Sequence, residues 1–258
     1  MLIAHISDFH VFASAPETSL VRADAEAAAR KVVADLVAFT PKIEAVCFTG
    51  DLTDGGSDAD YALLKDILSP ITVPVFVIPG NHDKRDTLRA AFSDLPFTSA
   101  STLHYEAEVG GVRILALDTL IDGKVAGQLD AEQLAWLRRK LETVTDGLTL
   151  ILMHHPAFPS GIKGLDDMSL IIGADELGEI VRNYSGNLRI LSGHIHRPYQ
   201  AIWNGVFAAV GGSPAFQIDL DLDQTHAEPG IVSEPYAYYI HRLNESGGLS
   251  VHARYVSI

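Results

Sequence analysis

The sequence predicts an α/β protein built in layers, and three observations carry that reading. Apolar β-type runs alternate with helix-type segments through the first two thirds of the chain, and two glycine-containing turns separate further β-type runs into hairpins. The 258 residues are 47% hydrophobic, enough to fill a substantial core in one large domain spanning 1–258.

The β-type runs are Leu2 to Ile6, Ile43 to Phe48, Val73 to Ile78, Ile114 to Leu117, Leu148 to Met153 and Leu188 to Leu191. Their near-continuous apolar character marks strands covered on both faces. Between them, Leu20 to Phe39, Asp58 to Leu68, Lys84 to Phe92, Asp130 to Val144 and Asp175 to Tyr184 carry helical spacing. In the first helix Leu20, Ala27, Val32, Leu36 and Phe39 are expected to face the core, with Arg22, Asp24, Glu26, Arg30 and Lys31 as a solvated face. Leu103 to Val109 and Val112 to Leu117 flank Gly110-Gly111 as one hairpin. Tyr236 to Leu243 and Leu249 to Val256 flank Asn244 to Gly248 as a second, so that 236–258 forms a C-terminal hairpin. A layered fold follows, with βαβ units feeding sheets and helices packed outside. The irregular, proline-bearing stretch Ser213 to Pro235 reads as a lid or an oligomer-contact loop.

The formal net charge of -14, with Lys and Arg scattered, opposes long nucleic acid and anionic membranes and favours a small ligand. Cys47 is the only cysteine, so no intramolecular disulfide can form, and its apolar neighbours mark it as a buried strand residue rather than a reactive thiol. The opening MLIAHISDFH has neither the basic nor the long apolar region of a secretory signal, and no apolar run reaches the length of a membrane span. A cytoplasmic protein is expected.

Five polar clusters each follow an apolar run: Asp8-Phe9-His10, Gly50-Asp51, Gly80-Asn81-His82-Asp83, His154-His155-Pro156 and Gly193-His194-Ile195-His196. In an open α/β sheet the carboxyl ends of neighbouring strands gather at one edge, where ligands bind. Asp8 and His10 are two apart, as are His194 and His196. A locally extended chain would turn each pair to one side and Phe9 or Ile195 to the other. Carboxylates, imidazoles and an amide oxygen, with no thiolate, suit two divalent transition-metal ions such as Mn, Fe, Co or Zn rather than a structural zinc knot or calcium. Taken singly, each cluster has an ordinary structural reading as a turn or a capped strand end. Their order and common placement at strand ends are what point to chemistry.

Read together, LIAHISDFH, GDLTD, VIPGNHD, MHHPAF and GHIHRP resemble the calcineurin-like metallophosphoesterase superfamily, and within it the bacterial class III cyclic nucleotide phosphodiesterases and related glycerophosphodiesterases. The matching motifs span Leu2 to Pro198, and Gly212 to Gln217 resembles a further segment of that subgroup. The resemblance implies a metallophosphoesterase-type four-layer sandwich, two mixed β-sheets flanked by helices, with a binuclear metal centre. It implies Asp8, His10, Asp51 and His196 on one metal and Asn81, His154 and His194 on the second, with Asp51 bridging. It also implies His82 as a non-ligand histidine at the substrate phosphate, so that His82, Asn81 and Asp51 form the catalytic set. Three departures inform. Ala157 replaces a second proline frequent in close relatives. Asp54 stands where purple acid phosphatases carry a tyrosine ligand. Gly55 stands where Ser/Thr protein phosphatases continue with an arginine.

The expected chemistry is hydrolysis of a small phosphodiester, either a cyclic nucleotide or a glycerophosphodiester. Two cations about 3.5 to 4 Å apart hold a water, lower its pKa towards about 7 and deliver hydroxide in line at phosphorus. A phosphomonoesterase or nuclease is the alternative, and a catalytically silent metal-binding scaffold is the third reading. A homo-oligomer is compatible with the irregular loop. His155 is expected beside the metals, facing substrate or packing there; Asp83 is expected either to orient His82 or to cap the helix near Lys84. His5, His104, His226, His241 and His252 show no partner pattern and read as structural or surface residues.

Overall fold

Strands buried on both faces require two covering layers each, and the chain supplies them. The computed structural model describes residues 1–17, 20–144, 146–226, 228–244 and 248–258. One five-stranded sheet runs Leu249–Val256, Tyr236–Leu243, Leu2–Ile6, Ala45–Phe48, Val75–Val77, the last three parallel and the C-terminal hairpin antiparallel. A six-stranded sheet runs Tyr199–Trp203, Val206–Val210, Asn187–Ser192, Leu148–Leu152, Val112–Ala116, Tyr105–Val109, its four central strands parallel and its two edges antiparallel.

Period-2 alternation explains the layering. Ile3, Cys47, Phe76, Ile114, Leu150, Leu191 and Ala209 meet between the two sheets. From the first sheet, Ala4, Ile6, Val46, Phe48 and Val77 point the other way, onto Val32, Leu36, Leu64 and Leu88 of the helices Ala25–Ala38, Asp58–Leu68 and Arg85–Ala91. From the second, Leu115, Ile151, Leu188 and Ile190 pack on Trp136, Leu137, Leu177 and Ile180 of the helices Ala131–Leu141 and Ala174–Arg182. The result is helices, sheet, sheet, helices: the expected four-layer α/β sandwich with two mixed sheets. Cys47 lies in the inter-sheet layer, where burial pushes its thiol up to about 12. Among the described residues no helix is long and apolar enough to cross a membrane.

The differences from expectation are local. The first helix starts at Ala25 rather than Leu20, because the Arg22 N–H donates to the Ala215 carbonyl at 3.2 Å and ties the preceding turn to the 213–216 segment. The helix from Asp130 ends at Leu141 rather than Val144; Asp130 caps it by accepting from the Gln133 N–H at 2.8 Å. The hairpin Tyr199–Trp203 and Val206–Val210 is an addition, turning on Asn204-Gly205 with both residues left-handed (φ 50° and 81°). Asn-Gly is the favoured pair for such a turn, so the signal was present in the sequence. In the C-terminal hairpin, Glu245, Ser246 and Gly247 of the expected turn lie outside the described residues.

A largely buried ion pair ties the two halves of the sandwich together. Arg85, at the start of its helix, donates to both oxygens of the fully buried Asp118 at 2.7 and 3.0 Å and to the Leu120 carbonyl at 2.6 Å, just beyond the strand Val112–Ala116 of the other sheet. Truncation leaves a buried carboxylate unpaired, so Arg85→Ala is expected to cost roughly 3–5 kcal/mol. Urea unfolding with an unchanged m-value and a lower midpoint is the expected readout. A midpoint equal to that of the parent would show that Asp118 finds other compensation.

Candidate metal centre

Five parallel strands from both sheets end at one edge of the sandwich, and each is followed immediately by a polar cluster. Asp8 and His10 follow Leu2–Ile6, Asp51 follows Ala45–Phe48, and Asn81 and His82 follow Val75–Val77. His154 follows Leu148–Leu152, and His194 and His196 follow Asn187–Ser192. The backbone there departs from expectation. Asp8, His10, Asp51, His194 and His196 all have positive φ, between 45° and 73°, so neither Asp-x-His nor His-x-His is extended. Left-handed residues at both ends of each triplet still direct its outer side chains to the site and bury Phe9 and Ile195 in the core. Non-glycine residues adopt this region at a cost. Here cross-strand bonds hold them: Asp8 N–H to the Gly50 carbonyl at 3.1 Å, His10 N–H to the Asp51 carbonyl at 3.0 Å, and His194 N–H to the Asp8 carboxylate at 3.0 Å. Gly193 permits the close approach, since a Cβ there would collide with Ser7 Oγ and the Asp8 carboxylate.

The seven side chains form two lobes. Asp8, His10, Asp51 and His196 each offer an atom within 4.8 Å of the others. In the second lobe Asn81 Oδ1 lies 3.2 Å from His154 Nε2 and 3.0 Å from His194 Nδ1. Asp51 Oδ2 joins the lobes, 3.4 Å from His10 Nε2 and 3.3 Å from His154 Nε2. The far nitrogen of each imidazole is already committed. His154 Nδ1 donates to the Thr49 carbonyl (2.7 Å), His194 Nε2 to the Met168 carbonyl (3.1 Å), and His196 Nδ1 to the Phe216 carbonyl (3.1 Å). His10 Nδ1 donates to the Asp54 carboxylate (3.1 Å). Carbonyls and carboxylates only accept, so those nitrogens carry protons, and in the neutral form that binds a metal each ring presents its inward nitrogen as a lone pair. Without a metal, burial opposes the His154 cation, yet Asp51 pulls this imidazole up to about 9. His10 Nε2 and His196 Nε2 thus face each other at 3.1 Å, lone pair to lone pair, amid buried carboxylate oxygens. Such an arrangement is repulsive without positive charge between the atoms, and the donor set fits a pair of divalent cations.

Around the lobes, Asp54 is the residue that sequence reasoning undervalued. It accepts from His10 Nδ1 and lies 3.2 Å from His82 Nδ1, while its backbone carbonyl lies 3.1 Å from the same His82 nitrogen. Burial opposes its charge, yet His10 and His82 hold its carboxyl well below the usual range. His82 is pushed up to about 10: burial disfavours its cation, but the carboxylates of Asp51 and Asp54 outweigh that. Its Nε2 remains available to the cavity, which His82 lines.

Asp83 neither orients His82 nor caps the following helix, whose N-cap is Lys84 without a side-chain bond. It accepts instead from the Leu52 and Gly80 N–H groups at 3.1 and 2.9 Å and from the Tyr61 hydroxyl at 2.7 Å, clamping the GDLTD turn to the GNHD turn. Burial and the nearby Asp51 push its carboxyl up to about 6. His155 packs on His154 and His194 with ring centroids 4.8 and 4.5 Å away. Its nitrogens are spent on the Thr119 hydroxyl at 2.7 Å and the Val125 carbonyl at 2.8 Å, so this imidazole supports the site without facing a ligand. His226 is exposed and paired with Asp221 at 2.6 Å, a surface histidine. His5 and His241 are buried between the sheets, His104 meets Thr102 at 2.8 Å, and His252 meets Ser250 at the surface.

A cavity of about 380 Å³ opens over the lobes. Besides Asp51, Asn81, His82, His194 and His196 it is lined by residues of the two stretches after His155 and after Ser213, among them Leu165, Met168, Phe216, Ile218 and Ile231. Phe216 stacks on His196 with centroids 3.8 Å apart.

Comparison with known proteins identifies the family and the fold. A family model described as calcineurin-like phosphoesterase matches residues 1–198. The chain is 33% identical over 257 residues to the probable glycerophosphodiester phosphodiesterase of Arcobacter nitrofigilis, covering 99% of this chain and 93% of that protein. It is 30% identical over 203 residues to the 3',5'-cyclic adenosine monophosphate phosphodiesterase of Escherichia coli K12, covering 79% of this chain and 72% of that one. In fold it is similar to a dimetal phosphatase from Danio rerio, with a TM-score of 0.75, 15% identity, and coverage of 98% of this chain and 96% of that chain.

Proposed function

The chain belongs to the calcineurin-like phosphoesterase family, and from that premise we propose that Asp8, His10, Asp51 and His196 hold one divalent transition-metal ion and Asn81, His154 and His194 a second, with Asp51 shared. The protein is a metal-dependent phosphodiesterase. One observation carries the ligand assignment: the inward nitrogens of four imidazoles, their outer nitrogens committed to acceptors, converge on buried carboxylate oxygens and the half-buried amide oxygen of Asn81. Once bound, such ions acidify water and polarise phosphate oxygens.

The chain's own groups divide the remaining work. Asp54 holds the His82 ring by Nδ1 and leaves Nε2 directed to a phosphate or a leaving oxygen. His82 in its cationic form supplies a proton or a hydrogen bond where negative charge develops. The walls after His155 and Ser213 restrict the cavity to a small diester, and the net charge of -14 opposes a polyanion. Cyclic nucleotides and glycerophosphodiesters are the proposed substrates, supported by the names of the relatives in Escherichia coli and Arcobacter nitrofigilis. The stretch 213–235 acts as a lid segment in this reading.

Turnover of bis(p-nitrophenyl) phosphate against p-nitrophenyl phosphate tests the proposal. Exhaustive chelation is expected to abolish diester hydrolysis, Mn or Co to restore it, and the monoester to be the poorer substrate. Full activity in protein shown by elemental analysis to be free of metal overturns the metal assignment. A higher kcat/KM for the monoester overturns the diester reading.

A further inference from the structure

We infer that the site selects phosphodiesters bearing an uncharged, apolar substituent, received by Val125, Leu165, Met168, Phe216, Ile218 and Ile231. This rests on the phosphodiesterase reading above and narrows its substrate class. Among the described residues, and beyond those assigned to metal and phosphate, the cavity lining carries no lysine, arginine or glutamate and no aspartate other than Asp51. A second phosphate or a carboxylate on the substrate would therefore meet no cation. A quaternary ammonium would meet no free carboxylate, because Asp51 is committed to the metal lobes and Asp54 to His10 and His82.

The apolar wall is fixed relative to the phosphate position. The Met168 carbonyl accepts from His194 and the Phe216 carbonyl from His196, so the backbone bearing these side chains hangs on the imidazoles themselves. Val125 is held likewise, its carbonyl accepting from His155. At the rim Val125 and Ile231 are 49% and 48% exposed, a cost in water that a bound apolar group would offset. Scattered exposed hydrophobics need no explanation, but six converging on one polar centre define a subsite.

The test varies one substituent at constant leaving group. The methyl, phenyl and choline esters of p-nitrophenyl phosphate all release p-nitrophenolate, so differences report the subsite. With the Mn-loaded 258-residue chain the phenyl ester is expected to exceed the choline ester in kcat/KM by about tenfold or more, the scale of a hydrophobic pocket's discrimination. Val125→Asp and Ile231→Asp, both at exposed positions, are expected to shrink that ratio several-fold, mainly through KM, with metal content unchanged by elemental analysis. Equal kcat/KM on phenyl and choline esters overturns the inference while leaving the phosphodiesterase reading intact. Absence of turnover on every ester removes both. If the aspartate variants keep the ratio and instead change the sedimentation of the protein, the apolar surface is a contact between copies of the chain and the inference falls.

Discussion

Asp51→Ala is expected to release at least one cation and lower diester turnover on the order of 10³-fold or more, the size of several kcal/mol of lost transition-state stabilisation. Among the described residues, the Asp51 carboxylate lies within 3.4 Å of a ring nitrogen in each lobe. Its Oδ2 approaches His10 in one and His154 in the other, and its Oδ1 accepts from the His82 N–H at 2.9 Å. Removing the carboxylate therefore uncouples the lobes and frees the turn that carries His82. It also leaves converging lone pairs with one fewer negative neighbour to hold a cation between them. Elemental analysis after gel filtration, together with steady-state rates on bis(p-nitrophenyl) phosphate, reads both effects. Two tightly bound metals with normal turnover would exclude a shared role for Asp51.

His82→Ala is expected to behave oppositely, with near-normal metal content and turnover lowered about 10²- to 10³-fold, the range for losing one preorganised donor or general acid. Its Nδ1 is occupied by Asp54, so only Nε2 is left to serve substrate, on a ring that lines the cavity. The pH profile adds an independent readout. A histidine pushed above its ordinary 6.5 towards about 10 is cationic at neutral pH and loses its proton as pH rises through the raised value. Bound cations offset part of the pull of Asp51, while Asp54 keeps its share, so the alkaline limb of kcat is expected between these two values. That limb should vanish in His82→Ala. Loss of metal in place of rate would move His82 among the ligands.

Much of this was legible before any coordinates. Strands covered on both faces read as apolar runs, and the clusters that follow them stand out because five recur at strand ends in one chain, where any one alone would read as an ordinary turn. Side-chain chemistry is written in residue identity, so Asp8, His10, Asp51, Asn81, His82, His154, His194 and His196 could be named from the sequence and are found gathered at one edge of the sandwich. The overlooked hairpin on Asn204-Gly205 was legible too, since its turn chemistry is local.

Only the tertiary structure decided how those residues act. An extended Asp-x-His was the reasonable local expectation, yet five of these residues are left-handed, and Asp8, His10 and His194 are held there by bonds to turns some 40 to 190 positions away in the chain. Asp54 rather than the adjacent Asp83 reaches His82, because the turn after Ala45–Phe48 folds over that ring while Asp83 points back to amides of the same turn. Which imidazole nitrogen faces inward is set by the carbonyls of Thr49, Met168 and Phe216. Every residue carries such a carbonyl, so no side-chain pattern announces the three that matter. Residue identity determined the available chemistry, and long-range backbone placement determined its direction.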